Sequence, residues 1–173
     1  MILAAALELL GEVGYGGLTV EGVAARAGVG KSTIYRHWPG KLEVVEDALG
    51  QLRPAPCPPG AGTVRERVVA LLGQVAGNLA DSAWSRCLPA MVDAAERDPG
   101  MLAVHRRLSQ ERLAVLVGVL AEGVETGEIP PGADLPLLAE MLVGPIIVRR
   151  LLLHEPFDPA AVPRLVALVL ATP

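Results

Sequence analysis

Within ARAGVGKSTIYRHW, residues 25–38, Ala25, Gly30, Lys31 and Ser32 have the spacing of a phosphate-binding loop: a small residue, four intervening positions, then Gly-Lys-Ser. Such a loop wraps a nucleotide triphosphate in backbone N–H groups, with the lysine on the terminal phosphates and the hydroxyl on Mg2+. The same residues admit a second chemistry. Gly28 can be the tight turn between two helices, with Lys31 opening a helix that enters the major groove of DNA.

The flanks separate these readings. A phosphate loop follows a buried β-strand and opens a long helix, so that unpaired N–H groups and the helix dipole meet the phosphates. Upstream, Thr19 offers a capping hydroxyl ahead of Val20, Val23 and Ala24 at helical spacing, which predicts a short helix closed by Gly28. Downstream, Pro39 and Gly40 stop the chain about two turns after Lys31. LPAMVD at 88–93 contains Pro89 in a helical context, so it is a poor strand for a Mg2+ carboxylate. Neither flank suits a nucleotide, whereas helix, glycine turn and short helix make a helix-turn-helix.

The elements around this stretch follow from composition and periodicity. Hydrophobic residues make up 51% of the 173 but aromatics only 3%, a balance that favours packed helices over sheets. Leu3, Ala6, Leu7, Leu10 and Val13 predict a helix over 3–13 that ends in Gly14 to Gly17. Ile34 and Trp38 share one face of the segment 31–38 and are assigned to the core, and a fourth helix runs from Lys41 to about residue 52. RPAPCPPGAG, 53–62, is too rich in Pro and Gly for a helix and reads as a linker. Helical periodicity returns over 63–81, 83–96, 99–126, 134–154 and 158–171. The expectation is an all-α fold of about nine helices, with a helix-turn-helix domain at 1–52 and a second helical domain at 63–173.

A net charge of −4 argues against a protein that coats nucleic acid with its whole surface. The distribution matters more: from Arg26 to Lys41 the only charged residues are Arg26, Lys31, Arg36 and Lys41, with His37 able to join them, a local cationic island. Glu140, Arg149 and Arg150 interrupt the most apolar region, so no membrane span is expected. MILAAALELLG lacks a basic leader and carries Glu8 in its apolar stretch, unlike a signal peptide, which makes the cytoplasm the expected compartment. Cys57 and Cys87 have neither metal nor redox spacing and are expected to be unlinked thiols. No cofactor or metal is expected, and no catalytic constellation is evident; Glu122 and Glu125 read as an exposed face.

The segment LTVEGVAARAGVGKSTIYRHWPGKLEVVEDAL, 18–49, resembles the N-terminal DNA-binding domain of the TetR family of bacterial transcriptional repressors. The likeness runs through the Leu-Thr cap, Val-Ala, Ala-Gly-Val at the turn, Thr-Ile-Tyr-Arg-His-Trp, and Pro-Gly-Lys before the fourth helix. It implies a sequence-specific regulator on double-stranded DNA, a repressor released from a palindromic operator by a small molecule. Residue by residue, it places Lys31, Ser32 and Thr33 at base edges, Tyr35 and His37 on phosphates, and Thr19 and Lys41 on the backbone beside helix N-termini. For Thr19 a plain capping role competes equally, and Arg36 suits either guanine or phosphate. The basic arm of many relatives has no counterpart in Met1-Ile2, so modest affinity is expected if the chain starts there.

By the same resemblance the C-terminal helices enclose a pocket for an unknown effector, apolar or amphipathic in character. Trp84, Met91, Met101, His105 and Met141 are the candidate lining residues, each with ordinary core packing as its competing reading. The penultimate helix is apolar nearly all round and the last has the same character, which predicts a homodimer through an isologous four-helix interface. Leu138, Leu142, Ile146, Leu165 and Val169 are its expected contacts, and Gly144-Pro145 is expected to kink the penultimate helix. Gly73, Gly77, Gly118 and Gly123, inside helices, allow either close helix approach or ligand space. Two other classes compete: a helical protein-interaction module without DNA binding, and the nucleotide-dependent enzyme that the flanks disfavour.

Overall fold

In a computed structural model the described residues, 1–52 and 62–170, form nine α-helices and no strand. They are α1 (Ile2–Gly17), α2 (Val20–Ala27), α3 (Lys31–Tyr35), α4 (Lys41–Gly50), α5 (Val64–Ala80), α6 (Ala83–Arg97), α7 (Pro99–Thr126), α8 (Leu135–Val148) and α9 (Val162–Val169). The expected linker, with Cys57, lies outside the described residues apart from Gly62. Among those described, no helix is long and apolar enough to cross a membrane.

The chain divides into two compact units. The first takes α1 to α4, α6 and α7 as far as Leu108; the second takes α5, the remainder of α7, α8 and α9. Residues 63–173 are therefore not one packing unit. The reason is the apolar stripe of α6: Cys87, Met91 and Ala94, spaced to share one helix face, are buried in the same cluster as Leu10, Val23, Ile34 and Val45. In this unit α1 packs on α2, α4 and α6. Gly14 ends the regular part of α1 with φ 68° and ψ 175°, a conformation that suits glycine.

In the second unit Val64, Val68, Leu72, Ala76 and Leu79 form the buried stripe of α5, which packs against α8 and α9. Two devices satisfy the free N–H groups at the start of α5. Thr63 and Glu66 form a reciprocal capping box, and the Glu128 carboxylate accepts from the Val64 N–H at 3.0 Å. Gly123 is a close-approach glycine, because a Cβ there would stand 2.9 Å from Ile129 Cδ1 and 3.1 Å from Val64 Cγ1; at Gly73, Gly77 and Gly118 it would meet nothing within 4 Å.

The end of α8 is irregular. The helix runs through Pro145 to Val148, and the irregularity comes later, as a π-helical turn at Arg149–Leu153 closed by His154 at φ 55°. Proline removes the N–H that would bond the Met141 carbonyl, but Met141 lies on the exposed side, where water can serve that carbonyl instead. The expected dimer contacts lie at different depths in the chain. Leu142, Ile146 and Val169 are buried in the chain's own core, while Leu138 and Leu165 are half-buried. On the opposite side of α8 and its π turn lie Leu137, Met141, Val148 and Leu152, all exposed, and Leu168 of α9 is 70% exposed.

Candidate DNA-reading surface

Local sequence explains how the helix-turn-helix is built. Thr19 has extended backbone and its hydroxyl accepts from the Gly22 N–H at 3.0 Å, capping α2; a cap of this kind contributes about 1 kcal/mol. That hydroxyl keeps its own proton to donate, so capping and contact with a phosphate are compatible. Gly28 ends α2 in the left-handed region, φ 67° and ψ 31°, and its N–H bonds back to α2 carbonyls. A Cβ in this conformation costs about 1–2 kcal/mol.

The regular part of α3 is shorter than the 31–38 read from sequence, but the Arg36, His37 and Trp38 N–H groups bond to carbonyls of Ser32 and Ile34, so the coil continues to Trp38. Ile34 is fully buried and fixes the rotation of α3. Lys31, Ser32, Tyr35 and Arg36 consequently share one exposed face, with Thr33 half-buried and His37 exposed. Trp38 is half-buried against the core, its indole N–H donating to Asp47 Oδ2 of α4 at 2.7 Å.

Folding rewrites the cationic island. No acid separates Arg26 from Lys41 in sequence, yet α1 brings Glu12 to Arg26 as a bidentate pair at 2.7 and 2.9 Å, with Glu8 at 3.4 Å. Lys31 Nζ lies 3.0 Å from Glu21 Oε1 of α2. Lys41 Nζ donates to the Tyr15 carbonyl at 3.1 Å and sits 4.2 Å above the Tyr15 ring, so it fastens α4 to the end of α1. Arg36 makes no ion pair among the described residues. The arginine at Glu12 holds that carboxyl below its ordinary value, as Lys31 does for Glu21, in each case chiefly through the hydrogen bond. Glu8, Glu12 and Glu21 carry no motif that sequence reading would single out. Only the i, i+4 spacing of Glu8 and Glu12 hints at a shared face.

The residues expected to line an effector pocket are redistributed. Met91 and Met101 are fully buried fillers of the first unit's core; Trp84 packs against that core and His105 is half-buried in the same unit. Met141 belongs to the second unit and is 49% exposed. Large apolar side chains are what a core uses, so size and polarisability do not by themselves distinguish filler from pocket wall. A small cleft is lined by Val64, Arg65, Glu128, Ile129 and Leu170, with a volume of about 30 Å3. Among the described residues, no three His, Cys, Asp or Glu side chains cluster to hold a metal ion.

Comparison with known proteins agrees with this geometry. Residues 2–48 match the family model for bacterial regulatory proteins of the tetR family, and residues 58–169 match a tetracyclin repressor-like C-terminal domain. The chain is 32% identical over 157 residues to the HTH-type transcriptional regulator Rv1556 of Mycobacterium tuberculosis, covering 90% of this chain and 77% of that one. It is 30% identical over 168 residues to the DNA-binding transcriptional repressor TetR of Mycobacteroides abscessus, covering 95% and 87%. Among solved structures, the TetR family transcription regulator SCO0332 superposes with a TM-score of 0.73 at 32% identity over 98% of this chain and 94% of that one. The transcriptional regulator FadR of Bacillus subtilis, in complex with stearoyl-CoA, shares the fold with a TM-score of 0.75 at 21% identity, over 98% and 96%. With a helix-turn-helix that presents α3 outward and two family models that together account for most of its length, the chain belongs to the TetR family and is a DNA-binding transcriptional regulator.

Proposed function

We propose that this protein is a dimeric repressor that reads a palindromic operator through α3 and leaves it when an apolar or amphipathic small molecule binds. The observation that carries the reading is the single exposed face formed by Lys31, Ser32, Tyr35 and Arg36, held in orientation by buried Ile34. Lys31 and Ser32 begin the helix, where a recognition helix meets base edges; Tyr35, Arg36 and His37 follow as donors to phosphate. A dimer is supported by the exposed apolar stripe Leu137, Met141, Val148 and Leu152 with Leu168. A surface of this kind, repeated by a two-fold axis, makes an isologous interface and pairs two reading heads with two half-sites.

The effector class rests on the apolar character of the C-terminal helices and on FadR, which binds stearoyl-CoA, an amphipathic molecule. Whatever its identity, an effector releases DNA only if it binds one arrangement of the heads more tightly than the other. Acting on the chromosome places the protein in the cytoplasm. Titration of a fluorescent duplex of arbitrary sequence at rising salt tests the DNA reading: binding at low salt that weakens steeply supports it, and no binding even at low salt favours the protein-interaction module.

A further inference from the structure

Two acid–base contacts on the helix-turn-helix differ in kind. Arg26 is clasped by both oxygens of Glu12 and also reaches Glu8, which ties α2 to α1 and removes the guanidinium from the DNA-facing set. Lys31 meets a single carboxylate, Glu21, at 3.0 Å, and both side chains are more than half exposed. A single carboxylate takes one of the ammonium's three donors and leaves the other two for further acceptors. Glu21 stands in the first turn of α2, where the helix dipole welcomes a negative charge, and Lys31 is the first residue of α3. An acid is thus fixed beside the cation that leads the recognition helix.

We propose that Glu21 is a specificity-determining residue, which acts through Lys31 to suppress attachment to arbitrary DNA while permitting Lys31 to read a guanine. The inference rests on the DNA-reading role proposed for α3. Attachment to arbitrary sequence is almost entirely phosphate neutralisation, and a lysine shared with a carboxylate offers a phosphate little net charge. The same carboxylate repels that phosphate. A base edge presents the opposite case. The ammonium has three donors: one stays on Glu21 while the others reach O6 and N7 of guanine, which are neutral acceptors that the carboxylate does not repel. The lowered Glu21 carboxyl pKa agrees with a pair that stays ionised.

The test compares Glu21→Gln, Lys31→Met and the double variant with the full wild-type chain. Two duplexes are used: one of arbitrary sequence, and one enriched from a random pool by the wild type. Glu21→Gln is expected to tighten binding to the arbitrary duplex by about three- to tenfold and to steepen its salt slope by about 0.9, the increment for one more neutralised phosphate. Binding to the enriched duplex changes less, so discrimination falls. In the Lys31→Met background the gain disappears. An equal gain with Lys31 removed, or a weakening of the arbitrary duplex by Glu21→Gln in a chain that keeps its helical circular dichroism, overturns the proposal. The arbitrary duplex reads the pair even if no operator is enriched, so failure of the operator reading is told apart from failure of this one.

Discussion

Trp38 Nε1 donates to Asp47 Oδ2 at 2.7 Å, so the last turn of the recognition segment is fastened to α4 nine residues on. A charged acceptor strengthens such a bond, and partial exposure reduces its net value to about 1 kcal/mol. Asp47→Ala is expected to lower the melting temperature by about 2–4 °C and to shift Trp38 fluorescence, with weaker DNA binding. Asp47→Asn, which keeps an acceptor, retains most of both properties.

Tyr35 and Lys41 separate contact from scaffold. Tyr35 is half exposed on the α3 face, so Tyr35→Phe weakens DNA binding and leaves the melting temperature within a degree or so of wild type, about the scatter of surface substitutions. Lys41 bonds the Tyr15 carbonyl and covers its ring, so Lys41→Ala loses about 1 kcal/mol of stability as well as binding. Thermal melts beside duplex titrations of both variants check the distinction.

The two sides of α8 are expected to respond differently to substitution. Met141→Glu and Leu168→Glu place charge on exposed apolar positions and are expected to yield folded monomers in sedimentation. Leu142→Ala opens a cavity at a fully buried position and costs about 2–5 kcal/mol whether or not the protein dimerises. A dimer that survives both glutamates removes this face from the account.

Acid stability has a definite sign. Arg67 lowers the Glu122 carboxyl, as Arg26 does Glu12 and Lys31 does Glu21, each from an ordinary 4.5. A depressed folded pKa contributes stability that is present above the unfolded value and lost as pH falls through the folded one. The melting temperature should hold from neutrality to about pH 5 and decline below it, and Glu12→Gln should shallow that decline. In the alkaline range the sign reverses: burial raises the Cys87 thiol from 9.0, so its contribution is present below that value and fades as pH rises through the folded pKa. The same burial makes Cys87 slow to react with a thiol reagent in the folded protein.

Much of the first unit could be read in the sequence because its signals are local: Thr19 caps α2, Gly28 turns it, and Ile34 follows the helical period. What escaped depends on distance in space. Nothing between Arg26 and Lys41 announces that Glu8, Glu12 and Glu21 fold onto their cations. Nor does periodicity say which of two apolar faces meets the chain's own core, which is why Leu142 and Ile146 are interior while Leu137 and Met141 are not. Met91 and Met101 sit in the first unit's core because α6 and the start of α7 pack there, across the break that the Pro/Gly linker marks in the sequence.

Selection of duplexes from a random pool by the full-length protein, followed by sequencing, tests the central claim most directly. Reading through α3 in a two-fold dimer should enrich an inverted repeat whose half-site centres lie about one helical turn, or a multiple of it, apart, and Tyr35→Phe should bind that duplex less tightly. A pool that emerges without any inverted repeat, from protein that is folded and dimeric, would contradict it.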